Sequence, residues 1–398
     1  MTDLSSFDRL SAAGQAAKQS ATLDAVSALL PEIAASAAQG EADRVLVPDV
    51  VKKMADAGIF RMMVPREYGG DSLSATQTNA VIETLATADA AAGWTAMVAV
   101  GFNVMMSRFP RATAEVIYSD GPDTPMRGAI APMGRAVKVD GGYRLSGRWP
   151  FASGPYRPKW MVAGATIMDN GIAVMGSQGP RTCLMLVPSE CAEFFDTWHT
   201  VGLCGTDSRD FAINDQFVPD SHVTEIFNFE APSSFDEPIF KLPFPMIAGP
   251  THSAVCLGIL KATLVELADL SKTKRSAFDP RDVLAQSSIF QFQLAEMAVR
   301  YGALDALQNE QLRGLERLVD GTEKFVPAFH MARGGSWVGY IHQETTKIMN
   351  EVVELAASAP VYTKSRLQQR WRDARVAAQH HAGSRHAYPK YGEALVKP

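Results

Sequence analysis

The chain has 398 residues, of which 46% are hydrophobic and 20% charged, and its formal net charge is −5. These values are ordinary for a globular protein of two or three domains, and the absence of a long basic run argues against nucleic-acid binding. No apolar run reaches the ~18–20 residues of a membrane-spanning helix, and residues 1–20 contain no apolar signal core. We therefore expect a cytoplasmic protein that binds neither a membrane nor nucleic acid.

The cysteines predict neither a metal site nor a disulfide framework. Four of them are scattered without a C-x-x-C pair: Cys183, Cys191, Cys204 and Cys256. Such spacing is typical of reduced, mostly buried thiols in a cytoplasmic protein.

The first third of the sequence is predicted to be helical. Apolar residues recur at helical spacing over 23–38, 50–60 and 77–100. Pro65 and the pair Gly69-Gly70 indicate a tight loop between these helices. We assign residues 1–122 to an N-terminal helical domain.

The pattern then changes to short segments of alternating polarity. They are separated by Gly, Pro, Asn and Asp, with turns at 140–142 and 169–171. Strands at roughly ten-residue spacing indicate a small barrel or sandwich, and we assign residues 123–230 to a β-barrel domain.

Long helical patterns return in the last part of the chain, at 253–270, 283–305, 309–319, 328–357 and 365–381, with one break at Gly334-Gly335. Helices of this number form a bundle, which we assign to residues 231–398. Helices, then strands, then helices indicate a mostly α member of the α+β class. Neither the dinucleotide-binding fingerprint nor the P-loop motif occurs.

Five segments in order carry a resemblance to the acyl-CoA dehydrogenase superfamily: 57–60 with 64–70, 147–154, 202–208 with 217–219, 293–297 and 370–373. This resemblance implies the same fold, with the barrel between the two helical domains.

Two departures from the dehydrogenase pattern are informative. Dehydrogenases need a carboxylate base, commonly the eighth residue after the aspartate that matches Asp373, but here that residue is His381, preceded by His380. In the motif that holds the FAD pyrophosphate, Arg275 is kept while the glycine is replaced by Asp279. Both departures resemble the two-component flavin-dependent monooxygenase branch.

That branch implies a specific chemistry. A separate reductase supplies reduced FMN or FAD, which reacts with O₂ to give a C4a-hydroperoxyflavin that oxygenates a small molecule, and the oxygenase is a homotetramer. Two other functions stay open: a divergent acyl-CoA dehydrogenase or oxidase with bound FAD, and a helical bundle that binds a ligand or partner without redox chemistry.

The resemblance also implies site residues. The catalytic candidates are His380, as an acid or orienting group, and Ser153, against flavin N5. The cofactor-binding candidates are Trp149, Phe151, Ser153, Thr206, Ser208, Arg275 and Trp371. Trp149 is equally explained as barrel core, Thr206 and Ser208 as turn residues, and Arg275 as a solvated helix end.

The substrate candidates are Trp94, Phe102, Asn103 and Met105. Relatives that hydroxylate phenols carry a histidine that falls here on Phe102, or on Asn103 with a one-residue slip. Since a phenol has a pKa of about 10, loss of that base argues against simple phenol hydroxylation. We expect an apolar pocket for an aromatic, polycyclic or heteroatom-bearing substrate.

Overall fold

A computed structural model describes residues 18–155, 158–177, 179–225, 232–276, 279 and 281–397. Most of residues 1–20 lie outside the described residues. So does part of the Pro- and Phe-rich segment 228–245, which the sequence predicts to be a connecting loop, and with it the predicted domain boundary at 230/231. The described chain has the helix–sheet–helix order expected from the sequence.

Between residues 18 and 122 the structure has five α-helices: α1 (Ala21–Asp43), α2 (Pro48–Asp56), α3 (Ala75–Ala88), α4 (Ala90–Met106) and α5 (Arg111–Ile117). The pattern over 77–100 predicts one helix, but the structure has two. Asp89 is extended, with φ −150°, and its carboxylate accepts the Ala91 N–H at 3.2 Å, so it ends α3 and caps α4.

Helix α1 is long and apolar enough, by length and composition alone, to cross a membrane. Core helices of globular proteins meet the same criterion. In this structure α1 packs against α2 and α3, and Val26 and Ile33 lie in the hydrophobic core.

The central region is a mixed sheet. Its strands are β1 (Met126–Val139), β2 (Gly142–Trp149), β3 (Trp160–Asp169), β4 (Ile172–Ala173), β7 (Thr182–Pro188), β8 (Glu193–Phe195), β9 (Asp210–Pro219) and β10 (Val223–Thr224), and β5 (Met175–Gly176) pairs with β6 (Gly179–Pro180) as a separate ribbon. The order is β10-β7-β3-β1-β2-β9-β8, with β1 and β3 parallel and β4 paired to β3. No pairing among the described strands joins β10 to β8, so the predicted closed barrel is an open, strongly bent sheet here.

The C-terminal region contains α6 (Phe244–Thr273), α7 (Ser288–Val319), α8 (Pro327–Leu355), α9 (Arg366–Ala377) and α10 (Tyr388–Val396). The two predicted helices at 283–305 and 309–319 form the single helix α7. Gly334 and Gly335 do not break α8; a Cβ on Gly335 would lie 2.9 Å from that of Ala387, so the missing side chain allows a close approach. The predicted helix at 365–381 ends at Ala377, and the chain turns before His380.

Helix α6 connects the two helical regions, since it packs against α3, α4, α7, α8 and α9. Helices before and after the sheet therefore share one hydrophobic core, while the sheet has its own smaller core. Burying a helix on all sides requires apolar residues around its circumference, and α6 has them. The polar ring of His252 is therefore unusual in this helix.

Candidate functional site

The segment after β2 forms a sharp turn at the junction of the sheet and the helices. Phe151 has a left-handed backbone, with φ 63°, and its ring is 66% exposed. Two residues on, Ser153 is 9% exposed and bridges to Gly128 of β1. The turn thus presents an aromatic ring at the surface and a hydroxyl beneath it.

A chain of hydroxyls runs from Ser153, and its proton directions follow from its last member. Thr206 donates its proton to the Leu203 carbonyl at 2.8 Å, because a carbonyl only accepts. In the 2.7 Å contact with Thr206 the donor must therefore be Ser208, and in the 2.6 Å contact with Ser208 it must be Ser153. The Trp94 indole N–H donates to Ser153 at 3.2 Å. Ser153 thus has no proton left to donate and one remaining lone pair, which makes it an acceptor.

A buried ion pair holds both ends of this chain. Arg127 is 2% exposed and donates to the Ala152 carbonyl at 2.5 Å and to the Asp207 carboxylate at 2.8 Å. Burial lowers the pKa of Arg127, and Asp207 opposes that effect. Asp207, with φ 48°, also accepts from Arg209 at 2.6 Å. Asp207, which stands where the family pattern has a small residue, therefore pairs with two arginines and fixes the turn between Thr206 and Ser208.

The C-terminal bundle anchors the same loop through α9. The Asp373 carboxylate accepts the Leu203 N–H at 2.6 Å, and a Cβ on Gly202 would collide with the Arg372 carbonyl. Leu203 has a left-handed backbone, with φ 51°, which needs such support. The acceptor of the hydroxyl chain is thus positioned by the bundle.

This anchor predicts a pH-dependent stability. Burial raises the pKa of Asp373 to about 7, against about 3.9 in an unfolded chain. The folded state therefore holds this proton more tightly, so the contribution of Asp373 to stability is full below about pH 4 and is lost as the pH rises through about 7. Asp373→Asn keeps a side-chain oxygen for Leu203 and removes the titration. We expect the free energy of unfolding in urea to fall less between about pH 5 and 8 in the variant than in the wild type, and parallel curves would contradict this.

Three histidines and a tryptophan meet on the helical side of Ser153. His380 stacks on His252 of α6, with ring centroids 4.2 Å apart and planes at 20°. Trp94 of α4 meets both rings edge-on, at 5.6 Å from His252 and 5.7 Å from His380. His342 of α8 lies 6.5 Å from His252. Three helices and the turn after α9 therefore contribute one ring each to this histidine cluster (Trp94, His252, His342 and His380).

The protonation of His380 is fixed by its surroundings. Desolvation lowers its pKa to about 4, with a smaller effect of His381, so the ring is neutral at neutral pH. The residue as a whole is exposed because it lies at the edge of the cluster, while its ring is crowded by protein. Its Nδ1 accepts the Ala382 N–H at 3.2 Å, so the proton of the neutral ring lies on Nε2. In this arrangement His380 offers its Nε2–H as a hydrogen-bond donor.

His381 lies outside the cluster. Its ring stacks on His386, with centroids 3.9 Å apart, and His386 in turn contacts the Ser384 hydroxyl. His380 and His381 therefore lie in different surroundings.

Several residues predicted at the site lie elsewhere. Trp149 is fully buried in the sheet core, stacked on Phe211 and hydrogen-bonded to Gly164, so the core interpretation is correct and cofactor contact is not. Asn103 uses its amide on the Phe60 carbonyl and the Tyr118 hydroxyl in the helical core, so it is not available to a substrate.

The remaining substrate candidates are separated from Trp94 along α4. Phe102 and Met105 are buried, and Met105 lies about 16 Å further along the helix axis. Of the four substrate candidates, only Trp94 has ring contacts with His252 and His380 among the described residues.

The cofactor candidates divide in the same way. The ring of Phe151 is exposed at the junction, and the hydroxyl of Ser153 lies directly beneath it. Thr206 and Ser208 are buried behind Ser153, so they influence a cofactor only through the hydroxyl of Ser153. Trp371 donates its indole N–H to Asn350 of α8 at 2.8 Å. Arg275 lies beyond the far end of α6, about 30 Å from His252, so it does not reach this site within one chain.

His252 and His342 are the site residues that the sequence did not reveal. No motif surrounds them, and they are 90 residues apart on helices that meet only in the fold. The one available signal was a histidine within a long helical pattern whose neighbouring residues are mostly apolar.

Comparison with known proteins identifies this architecture. The acyl-CoA dehydrogenase N-terminal domain matches residues 16–112, and the acyl-CoA dehydrogenase C-terminal domain matches residues 250–385. The fold is that of a flavoprotein class in which a sheet domain lies between helical domains. The chain belongs to the acyl-CoA dehydrogenase family.

Its relatives are oxygenases. Indole-3-acetate monooxygenase from Acinetobacter baumannii is 29% identical over 370 residues, covering 89% of each chain. The oxygenase component of an FADH(2)-dependent resorcinol hydroxylase from Rhizobium sp. is 27% identical over 368 residues, covering 87% of this chain and 86% of that one. The structure of XiaF from Streptomyces sp. in complex with FADH2 and glycerol superposes with a TM-score of 0.86, at 24% identity, over 99% of this chain and 98% of that one, which shows the fold. The predictions of the family and of a flavin-dependent monooxygenase are confirmed at this level, over the dehydrogenase alternative.

The junction fits a reduced flavin. The ring system of a reduced flavin carries an N–H that needs an acceptor, and Ser153 has one lone pair left for it. The exposed ring of Phe151, edge-on to Trp198 at 6.2 Å, offers an apolar surface for a flat heterocycle.

Proposed function

We propose that this chain is the oxygenase component of a two-component monooxygenase. It takes reduced FMN or FAD from a separate reductase and uses O₂ to oxygenate an apolar, aromatic or heteroatom-bearing substrate. One observation carries the proposal: an acceptor-only serine faces a group of neutral histidines. The position where the family pattern commonly has the dehydrogenase base is His381 here, and no hydrogen bond or ion pair among the described residues joins a carboxylate to His252, His342 or His380.

Each residue has a task that follows from its surroundings. Ser153 accepts a hydrogen bond from the reduced cofactor and so holds that proton in place. The Nε2–H of His380 donates a hydrogen bond to an oxygen atom at the reacting centre, and Trp94 fixes the distance between serine and histidine. The apolar helices around them exclude water. The reduced flavin, when bound, supplies the electrons and the carbon at which O₂ is activated.

The direct test is spectroscopic. The purified protein is mixed without oxygen with chemically reduced FMN, and separately with reduced FAD, and then with O₂. We expect a transient absorption in the near ultraviolet that free flavin does not give. Reduction of an external acceptor by acyl-CoA would favour the dehydrogenase alternative, and failure to bind either flavin would favour a bundle without redox chemistry.

A flavin titration is the matching binding measurement. We expect reduced flavin to bind more tightly than oxidised flavin, because the pyrophosphate motif is degraded and Asp279 pairs with Arg281 at 3.0 Å. Oxidised FAD that stays bound through gel filtration would contradict the borrowed-cofactor proposal.

We expect a cytoplasmic homotetramer. Three large apolar side chains follow one face of α7, namely Ile289, Phe292 and Val299, each about 70% exposed. In addition, Arg275 reaches a flavin only in another copy of the chain, given its distance from His252. Light scattering at micromolar concentration is expected to give four times the mass of the chain. A Phe292→Glu variant is expected to dissociate, whereas a control change of the exposed Glu115 of α5 to Gln, away from this face, is not. A monomeric wild type would contradict the proposal.

A further inference from the structure

His252 is a polar ring placed where an apolar one would be expected. It is 8% exposed and lies between His380 and His342, with Trp94 edge-on at 5.6 Å. Its Nδ1 is fully buried and has no hydrogen-bond partner among the described residues. Buried polar atoms in folded proteins are almost always paired, so an unpaired one facing a cluster indicates something that binds there.

His342, on the far side of His252 from His380, also has a buried ring nitrogen without a hydrogen-bond partner among the described residues. The ring is completely buried, its Nδ1 lies 3.5 Å from the Cys256 thiol, and its Nε2 has no partner among the described residues. Gly383, in the turn after His380, leaves room for this ring, since a Cβ there would lie 2.5 Å from the His342 Nδ1. The turn that carries His380 therefore closes over His342.

The electrostatic environment limits what binds. Burial lowers the pKa of His252 well below its usual value and that of His342 to about 3, and the neighbouring imidazoles lower them further. Both rings are neutral at neutral pH. No cationic side chain among the described residues shifts either pKa, so a carboxylate would be buried here without a counter-charge, which is strongly unfavourable.

We propose that His252, backed by His342, forms a polar subsite that binds a neutral O–H or N–H group on an aromatic substrate. This inference rests on the proposed function and adds a substrate class to it. A neutral imidazole has one acceptor nitrogen and one donor nitrogen, and with Nδ1 as the acceptor His252 pairs with a group that donates a proton. The stacked rings of His252 and His380 and the edge of Trp94 form an aromatic wall against which an aromatic ring that carries such a group can pack. The subsite supplies the imidazole that the phenol-hydroxylating relatives carry on another helix, at the position of Phe102 or Asn103.

The experiment compares probe pairs that differ only in one proton donor. Binding of phenol against anisole, and of indole against 1-methylindole, is measured by calorimetry without oxygen, with and without reduced FMN. We expect the wild type to bind the member with the donor about tenfold or more tightly than its methylated partner, and benzoate more weakly than phenol. The two pairs separate hydroxyl from N–H recognition.

Variants assign the effect to His252. His252→Ala is expected to abolish the preference for the donor while leaving anisole binding within a few fold. His252→Asn, which retains a hydrogen-bonding atom near the position of Nδ1, is expected to restore part of it, and His381→Ala is the control outside the cluster. Equal losses for phenol and anisole, a retained preference in His252→Ala, tighter binding of benzoate, or no binding of any probe to the wild type would each overturn the proposal. Since these measurements need no oxygen chemistry, they fail or succeed independently of the near-ultraviolet test.

Discussion

Replacing His380 with alanine is expected to lower the yield of oxygenated product by a factor of about 10²–10³ while leaving the affinity for reduced flavin within a few fold. The magnitude is that of one preorganised hydrogen-bond donor at a reacting centre. The structure gives this role because Nδ1 is occupied by the Ala382 N–H and only Nε2 carries a proton. The measurement is product formed per reduced flavin consumed, with a substrate identified from the probe series.

Two further variants separate the loss of the hydrogen-bond donor from the loss of side-chain volume at position 380. His380→Gln keeps a donor near the position of Nε2 and is expected to recover a substantial part of the yield, whereas His381→Ala is expected to stay near wild type. Since desolvation lowers the pKa of His380 to about 4, the yield should show no inflection from this residue near pH 6.5. Full yield in His380→Ala, or a strong loss in His381→Ala, would move the site to the other histidine.

The order of the helical and sheet regions was predictable because periodicity is a local property. The apolar repeats predicted α1, α6 and α8 to within a few residues at most ends, although α6 starts nine residues earlier than expected. Breaks were less predictable. Asp89 divides a continuous apolar pattern by capping, and the glycine pair in α8 looks like a break but accommodates Ala387. Closure of the sheet depends on pairing between distant strands, which no local pattern encodes.

The candidate site was predictable only where a motif carried it. Ser153 belongs to a segment that resembles the family, and His380 is located by its count from Asp373 in another. His252 and His342 have no such context, because their proximity is created by the packing of α6 against α8. Trp149 illustrates the opposite error: it lies in the right segment, but strand alternation directs its ring into the sheet core.

Asp207 shows how a departure from a family pattern is resolved by tertiary structure. In the sequence it is an acidic residue between two small polar ones, which suggests a turn and nothing more. In the structure its partner is Arg127, 80 residues away and equally buried. The pair joins the segment of Ser153 to the loop of Ser208, so the geometry of the hydroxyl chain depends on it.

Replacing Ser153 with alanine is expected to shorten the life of the near-ultraviolet absorption and to raise the release of H₂O₂. The variant removes the one acceptor for the N–H of the reduced cofactor, and the loss of one such hydrogen bond, about 1–3 kcal/mol, corresponds to roughly tenfold to hundredfold faster decay. Stopped-flow absorbance gives the decay rate, and a peroxidase-coupled assay gives the H₂O₂. Unchanged decay would mean that Ser153 only shapes the turn.

The direction of the hydroxyl chain gives this prediction a second, independent part. In Thr206→Val the Ser208 proton loses its acceptor, so Ser208 turns to donate to Ser153, and the Ser153 proton is released toward the cofactor. Ser153 then presents a donor where an acceptor is needed, and we expect decay that is faster than in the wild type although the serine is still present. Thr206→Ser keeps the hydroxyl that donates to Leu203 and is expected to behave like the wild type. If Thr206→Val decayed as slowly as Thr206→Ser while Ser153→Ala decayed quickly, Ser153 would act without the chain, and the Leu203 carbonyl would have no part in setting its polarity.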